Sequence, residues 1–94
     1  MDVIANINLE IYKYITTTEV IMTEERVAHV KENHPDDYEK FIGYIKESLE
    51  DPDYIIEANK PKKFFTRKRK SDILCIGAGV FEVEDFVHVY TPMA

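Results

Sequence analysis

The sequence lacks the features that mark disulfide-bonded, membrane-spanning and secreted proteins. It has a single cysteine, Cys75, so it cannot form an internal disulfide, which fits a reducing compartment. No stretch approaches the roughly 20 apolar residues that a membrane-spanning helix needs. Its first residues carry the acid Asp2 where a secretory signal would carry positive charge. We therefore expect a cytoplasmic protein that does not associate with membranes.

The residues that are present suffice for one small globular domain over 1–94. A chain of 94 residues has room for a single core, and its 45% of hydrophobic residues include 6 tyrosines and 5 phenylalanines but no tryptophan. We find no internal repeat, low-complexity tract or flexible linker that would mark a second unit.

The first half of the chain is predicted to hold one strand and two helices. Apolar and polar residues alternate with a period of two over 7–15, which is typical of a half-buried strand. Thr23 is a good N-cap for a helix that runs to about residue 33. Beyond Pro35, apolar residues at helical spacing predict a second, amphipathic helix over about 38–49.

The second half is predicted to be β structure. Strands are expected at 54–57, 64–69 and 73–77, with a glycine-rich bend at 77–79. Residues 80–90 form one long strand or a hairpin broken near Glu84. The order of elements predicts an α+β fold in which two helices pack on one face of a small, mostly antiparallel β-sheet.

Positive charge is concentrated in one segment, although the chain as a whole carries −6. Residues 60–70 read KPKKFFTRKRK and contain no acid. A polyanion such as RNA fits that segment while the rest of the surface repels it. The alternative is a solvated basic edge strand or loop that discourages aggregation. The candidate RNA-binding residues are Lys60, Lys62, Lys63, Lys68 and Lys70.

A more specific pattern lies between Val20 and Tyr54. A threonine-capped helix carries His29, a His-Pro pair follows at 34–35, and an amphipathic helix then leads to Asp-Pro-Asp-Tyr-Ile. Over roughly residues 20 to 60 this resembles the phage- and mobile-element-associated domains of the barnase–EndoU–colicin–RelE-like ribonuclease fold, whereas the likeness is poor after Lys63. One position differs, because Asn33 stands where an arginine commonly precedes His-Pro.

The resemblance implies metal-independent RNA cleavage without a cofactor, in a small toxin domain. The ribose 2′-hydroxyl attacks its own phosphodiester, and an imidazole moves protons near neutral pH. His34 and His29 match the two histidines of the family. Arg67 and Arg69 alternate on one strand face and are our candidates, by position, for stabilising the negative charge of the transition state.

The spacing of the two motif histidines limits what they can do together. Five residues correspond to about 140° around a helix axis, so His29 and His34 diverge on a straight helix unless His34 reorients at Pro35. The same spacing disfavours zinc, whose helical ligand pairs prefer i, i+4, and we expect no metal site. Each of these histidines also has a structural interpretation. His29 would be a partly buried ring with one hydrogen bond, and His34 would be a helix C-terminal residue that the helix dipole favours. We interpret His88 as a sheet-surface residue.

Three functions follow, in decreasing order of support. The first is an endoribonuclease-like toxin. The second is a catalytically inactive RNA- or protein-binding module of the same fold. The absence of the motif arginine at Asn33 favours this module over the enzyme. The third is a phage accessory protein whose acidic helices contact a partner, and the basic segment disfavours it. The expected partners are RNA and, for a toxin, an antitoxin protein.

Overall fold

Two helices pack against a six-stranded sheet in the computed structural model, which describes residues 2–93. In chain order the elements are β1 (Val3–Asn6), β2 (Glu19–Ile21), α1 (Glu24–Asn33), α2 (Tyr38–Glu50), β3 (Tyr54–Glu57), β4 (Lys63–Arg69), β5 (Cys75–Val83) and β6 (Phe86–Met93). The strand order is β1-β2-β6-β5-β4-β3, and only the β2–β6 pair is parallel. The predicted α+β fold is confirmed.

Both helices begin and end where the sequence indicates. The Thr23 hydroxyl accepts a hydrogen bond from the Arg26 backbone N–H at 3.3 Å and so caps α1. The helix stops at His34 because the following proline disfavours the helical conformation of the residue before it. The predicted apolar face of α2 is buried against the sheet through Phe41, Ile45 and Leu49. No helix within residues 2–93 is long and apolar enough to span a membrane.

The strand predicted over 7–15 is wrong. The first strand is β1, and the chain then runs through turns and irregular backbone as far as Thr18. Burial falls at Ile7, Tyr12 and Ile15 rather than at alternate residues. Tyr12 reaches the core and donates a hydrogen bond of 2.7 Å to the Leu49 carbonyl. Separate side-chain anchors therefore hold this loop, and its two ends are joined by a hydrogen bond of 2.9 Å from the Ile7 backbone N–H to the Thr18 carbonyl.

The bend predicted at 77–79 is also wrong, because these residues lie inside the continuous strand β5. Gly77 is required there because a Cβ would overlap the Thr66 carbonyl oxygen of β4, and one at Gly79 would lie 2.8 Å from Cζ of Tyr90. The chain reverses instead between β5 and β6, where Glu84 has φ 57°, as the hairpin alternative predicts.

One buried carboxylate fastens the 7–18 loop to the sheet. The side chain of Glu82 accepts hydrogen bonds from the backbone N–H groups of Thr16 and Thr17, at 2.7 and 3.1 Å, and pairs with Lys62 Nζ at 2.9 Å. Burial alone would raise the pKa of this carboxyl. The hydrogen bonds from Lys62, Thr16 and Thr17 outweigh burial and lower the pKa below its ordinary 4.5.

Glu82→Gln should make the fold less stable at neutral pH and less sensitive to acid. A carboxyl whose pKa is lowered by folding adds stability above its unfolded pKa, and this stability is lost as the pH falls through the folded pKa. We expect a loss of about 1.5–3 kcal/mol at pH 7, which shrinks as the pH falls below the ordinary carboxyl pKa of 4.5. Urea titrations at several pH values measure it, with the exposed Glu84→Gln as control. Parallel stability–pH curves for wild type and Glu82→Gln would contradict it.

Candidate active-site groove

The face of the sheet turned away from the core carries polar and aromatic side chains. Successive residues of a strand point to opposite faces, and Phe64 and Thr66 of β4 are buried in the core. Lys63, Phe65 and Arg67 therefore lie on the other face, which we call the open face. The same alternation in β6 places His88 and Tyr90 on the open face, because Val87 and Val89 are buried.

A groove of about 490 Å³ lies on this face between β4 and the start of α1. Its lining residues come from α1, β4, β5, β6 and the turn before β4: Thr23, Arg26, Lys60, Lys63, Phe81, Val83, His88, Val89 and Tyr90. Strand register explains the centre of the groove, since Lys63 pairs with Phe81 and Phe81 pairs with His88. Residues far apart in the sequence are thus brought into one row across three strands.

The parallel pairing of β2 with β6 brings α1 to the groove. Ile21 pairs with His88, so the chain leaves β2 beside β6 and begins α1 there. This places Thr23 and Arg26 in the groove lining. Glu24 and Glu25 in the first turn of α1 offset the partial positive charge of the helix N-terminus, so the positive charge that α1 brings to the groove is that of the Arg26 guanidinium. Two of the cations in the groove, Arg26 and Lys63, therefore come from different layers of the fold.

An aromatic floor supports the groove. The Tyr90 ring meets Phe65 edge to face with centroids 6.2 Å apart, and Lys63 Nζ lies 4.6 Å from the Tyr90 centroid. The absence of a side chain at Gly79 lets the Tyr90 ring lie against β5. The Tyr90 hydroxyl is buried and has no hydrogen-bond partner among residues 2–93. This hydroxyl can therefore still donate a hydrogen bond and accept one.

The basic segment 60–70 is divided by its acidic neighbours. Four of its cations form ion pairs: Lys62 with Glu82, Lys68 with Asp51 and Asp53, Arg69 with Asp72, and Lys70 with Glu47. The Arg69 backbone N–H lowers the pKa of Asp53, and Lys68 adds to that effect. Within the described residues, Lys60, Lys63 and Arg67 have no carboxylate partner. These three cations keep their charge available on or beside the open face.

His34 lies away from the groove. Its ring stacks on Phe41 of α2 with centroids 3.9 Å apart, and its Nδ1 is 3.3 Å from Asp37 Oδ1. A small cavity of about 200 Å³ at this corner also touches Ile76, a core residue of β5. His34 therefore belongs to the helix side of the sheet. Arg67 and Arg69 are on the opposite side, so the structure does not bring the predicted pair of histidine and arginine together.

His29 is placed differently from His34. It is exposed on α1, three residues after Arg26, and residues at that spacing are neighbours on a helix surface. Asn33 continues the same stripe one turn further. His29 does not line the groove itself, but of the two motif histidines it is the one that shares a stripe of α1 with a groove residue.

Sequence reasoning did not select His88 or Arg26. His88 gives no local signal, since a strand histidine between two valines is compatible with any sheet surface. Its importance comes from the pairing of β6 with β2 and β5. Arg26 has a signal that could have been used, because it shares a helix face with His29. Among the described residues, no three His, Cys, Asp or Glu side chains come together as metal ligands.

Comparison with known proteins gives one match. A family model described as phage-Barnase-EndoU-ColicinE5/D-RelE like nuclease2 matches residues 2–84. No curated protein and no solved structure matches the chain. The resemblance seen over residues 20–60 is thereby confirmed, and the match runs beyond Lys63, through β4 and β5. His88 and Tyr90 lie just after its end.

Proposed function

We propose that this chain, which belongs to the phage-Barnase-EndoU-ColicinE5/D-RelE like nuclease2 family, is an endoribonuclease that cleaves RNA in the groove on the open face. Membership makes it a phage-associated nuclease-like domain. The cleavage of RNA, the role of histidine and the action as a toxin are our proposals. The observation that supports them is the meeting of His88 with Arg26 and Lys63 in one groove.

The groove supplies the groups that cleavage by the 2′-hydroxyl requires. We assign His88 as the base that takes the proton of the 2′-hydroxyl as its oxygen attacks phosphorus. Arg26 and Lys63 stabilise the charge that develops on the phosphoryl oxygens. We assign His29, which neighbours the groove residue Arg26 on the surface of α1, as the acid that protonates the leaving 5′-oxygen. The products are a 2′,3′-cyclic phosphate and a free 5′-hydroxyl, and no metal takes part.

Cleavage in the presence of a chelator tests this function. The purified chain should cut labelled single-stranded RNA at the same rate with and without EDTA, and the fragments should carry 2′,3′-cyclic phosphate ends. Expression without an inhibitor should arrest bacterial growth if the domain acts as a toxin. RNA left intact over a wide range of enzyme concentration and pH would contradict the proposed activity.

A binding module of the same fold is the second candidate, and Asn33 favours it. Asn33 follows Arg26 and His29 on one stripe of α1, so the stripe that starts at the groove residue Arg26 has an uncharged amide at the position where the resemblance implies an arginine. Such a module would bind RNA through Lys60 and Lys63 without cutting it. Retention of RNA with no cleavage products separates this candidate from the enzyme.

A further inference from the structure

A second hollow adjoins the groove on the open face. It has about the same volume, about 490 Å³, and shares Lys60 and Lys63 with the groove. Its other walls include Ile56 of β3, Phe65 of β4 and Asn59 of the connecting turn. The two lysines therefore stand between two concave surfaces, one containing His88 and the other lined by apolar and amide side chains.

We infer that the second hollow binds one unpaired base of a single-stranded RNA, next to the phosphate held by Lys60 and Lys63. This inference rests on the proposed function, which places the scissile phosphate in the groove at Lys63. Bases and phosphates alternate along a nucleic-acid strand, and a phosphate at the two lysines leaves a base on each side. One base then faces the groove, and the other enters the second hollow.

The chemistry of the hollow suits the face and the edge of a base. Ile56 is 52% exposed and pairs across the strands with Phe65, so the two form an apolar surface open to solvent. Unpaired bases stack on such surfaces, and stacking does not depend on sequence. The Asn59 amide both donates and accepts hydrogen bonds and can therefore pair with a base edge. A duplex hides these faces and edges, which is why we infer a single strand.

Charge favours RNA as the occupant of this surface. The chain carries −6 overall, yet Lys60, Lys63 and Arg67 have no carboxylate partner among residues 2–93 and lie at or beside the hollow. Glu57 also lines the hollow. A carboxylate repels phosphate and accepts hydrogen bonds from the amino group of a base. The hollow is thereby suited to a base, and the lysines are suited to the phosphate.

Binding of an oligonucleotide that cannot be cut tests the inference separately from catalysis. The probe is a fluorescent single-stranded 2′-O-methyl RNA hexamer, in which the attacking hydroxyl is blocked, and the measurement is fluorescence anisotropy. Ile56→Ala and Asn59→Ala are compared with Ile73→Ala, which removes an equally apolar side chain that is 98% exposed and lines neither surface. Lys46→Ala on α2 is the control for Lys60→Ala. A duplex of the same sequence completes the set.

We expect Ile56→Ala to weaken binding about tenfold, because the substitution removes half-exposed apolar surface that a bound base would cover. Asn59→Ala should reduce the preference among hexamers that differ in one base, and the duplex should bind more weakly than the single strand. Equal affinities for wild type, Ile56→Ala and Asn59→Ala would overturn the inference, as would tighter binding of the duplex. If the hexamer binds as expected but natural RNA is not cut, the proposed catalysis fails and the base site stands.

Discussion

Replacing His88 with alanine should lower the rate of RNA cleavage by about 10²–10⁴-fold, the range that a positioned acid or base contributes. The side chain lies on the open face and is part of the groove lining together with Arg26 and Lys63. No hydrogen bond or ion pair ties it to the rest of residues 2–93, so its removal should leave the fold intact. Initial rates on a defined RNA, with circular dichroism and thermal melting of the same preparation, measure both effects.

His34→Ala is the matched comparison, because the motif resemblance implies a catalytic role for it and the groove does not contain it. We expect this variant to cut RNA at close to the wild-type rate. It should lose about 1 kcal/mol of stability, because the ring stacks on Phe41. His29→Ala should slow cleavage less than His88→Ala. If His34→Ala abolished cleavage and His88→Ala did not, the active site would lie at the corner of α1 and α2.

The helices could be predicted from the sequence because their signals are local. The Thr23 cap, the proline after His34 and the apolar stripe through Phe41 each act within a few residues along the chain. The loop over residues 7–18, for which the sequence predicts a strand, could not be predicted in the same way. Its alternating pattern is real, but Tyr12 and the Glu82 carboxylate anchor the segment as a loop. Contacts at that sequence distance leave no mark in a local pattern.

The candidate site depends even more on distant pairing. Lys63, Phe81 and His88 share one row only because three strands pair in a particular register. The basic segment was a valid guide to part of this surface, since Lys60 and Lys63 line the groove. Its other lysines are paired with acids on both sides of the segment in the sequence, such as Glu47 and Asp51 before it and Glu82 after it. Composition alone could not separate the free cations from the paired ones.

Gly77→Ala should destabilise the domain more than the same substitution at either of its other two glycines, Gly43 and Gly79. Gly77 is the third residue of β5, and a Cβ there would overlap the carbonyl oxygen of Thr66 and come within 2.9 Å of its carbonyl carbon. These are backbone atoms of the neighbouring strand, so no side-chain rotation can make room. The strands β4 and β5 would have to separate at the centre of the sheet. We expect a loss of at least about 3 kcal/mol, the upper end of the overpacking range.

Gly43→Ala is the control for Gly77→Ala, because it adds the same methyl group at a position in a helix where there is room for it. Gly43 lies in the interior of α2, and a Cβ there would have no atom within 4 Å. Alanine should therefore stabilise the fold by about 0.5–1 kcal/mol, since glycine loses more conformational freedom in a helix. Urea denaturation of the two variants and the wild type measures both shifts. A Gly77→Ala midpoint close to that of the wild type would contradict the close approach of β4 and β5. It would also undermine the strand register that places Lys63, Phe81 and His88 in one row, and with it the proposed groove.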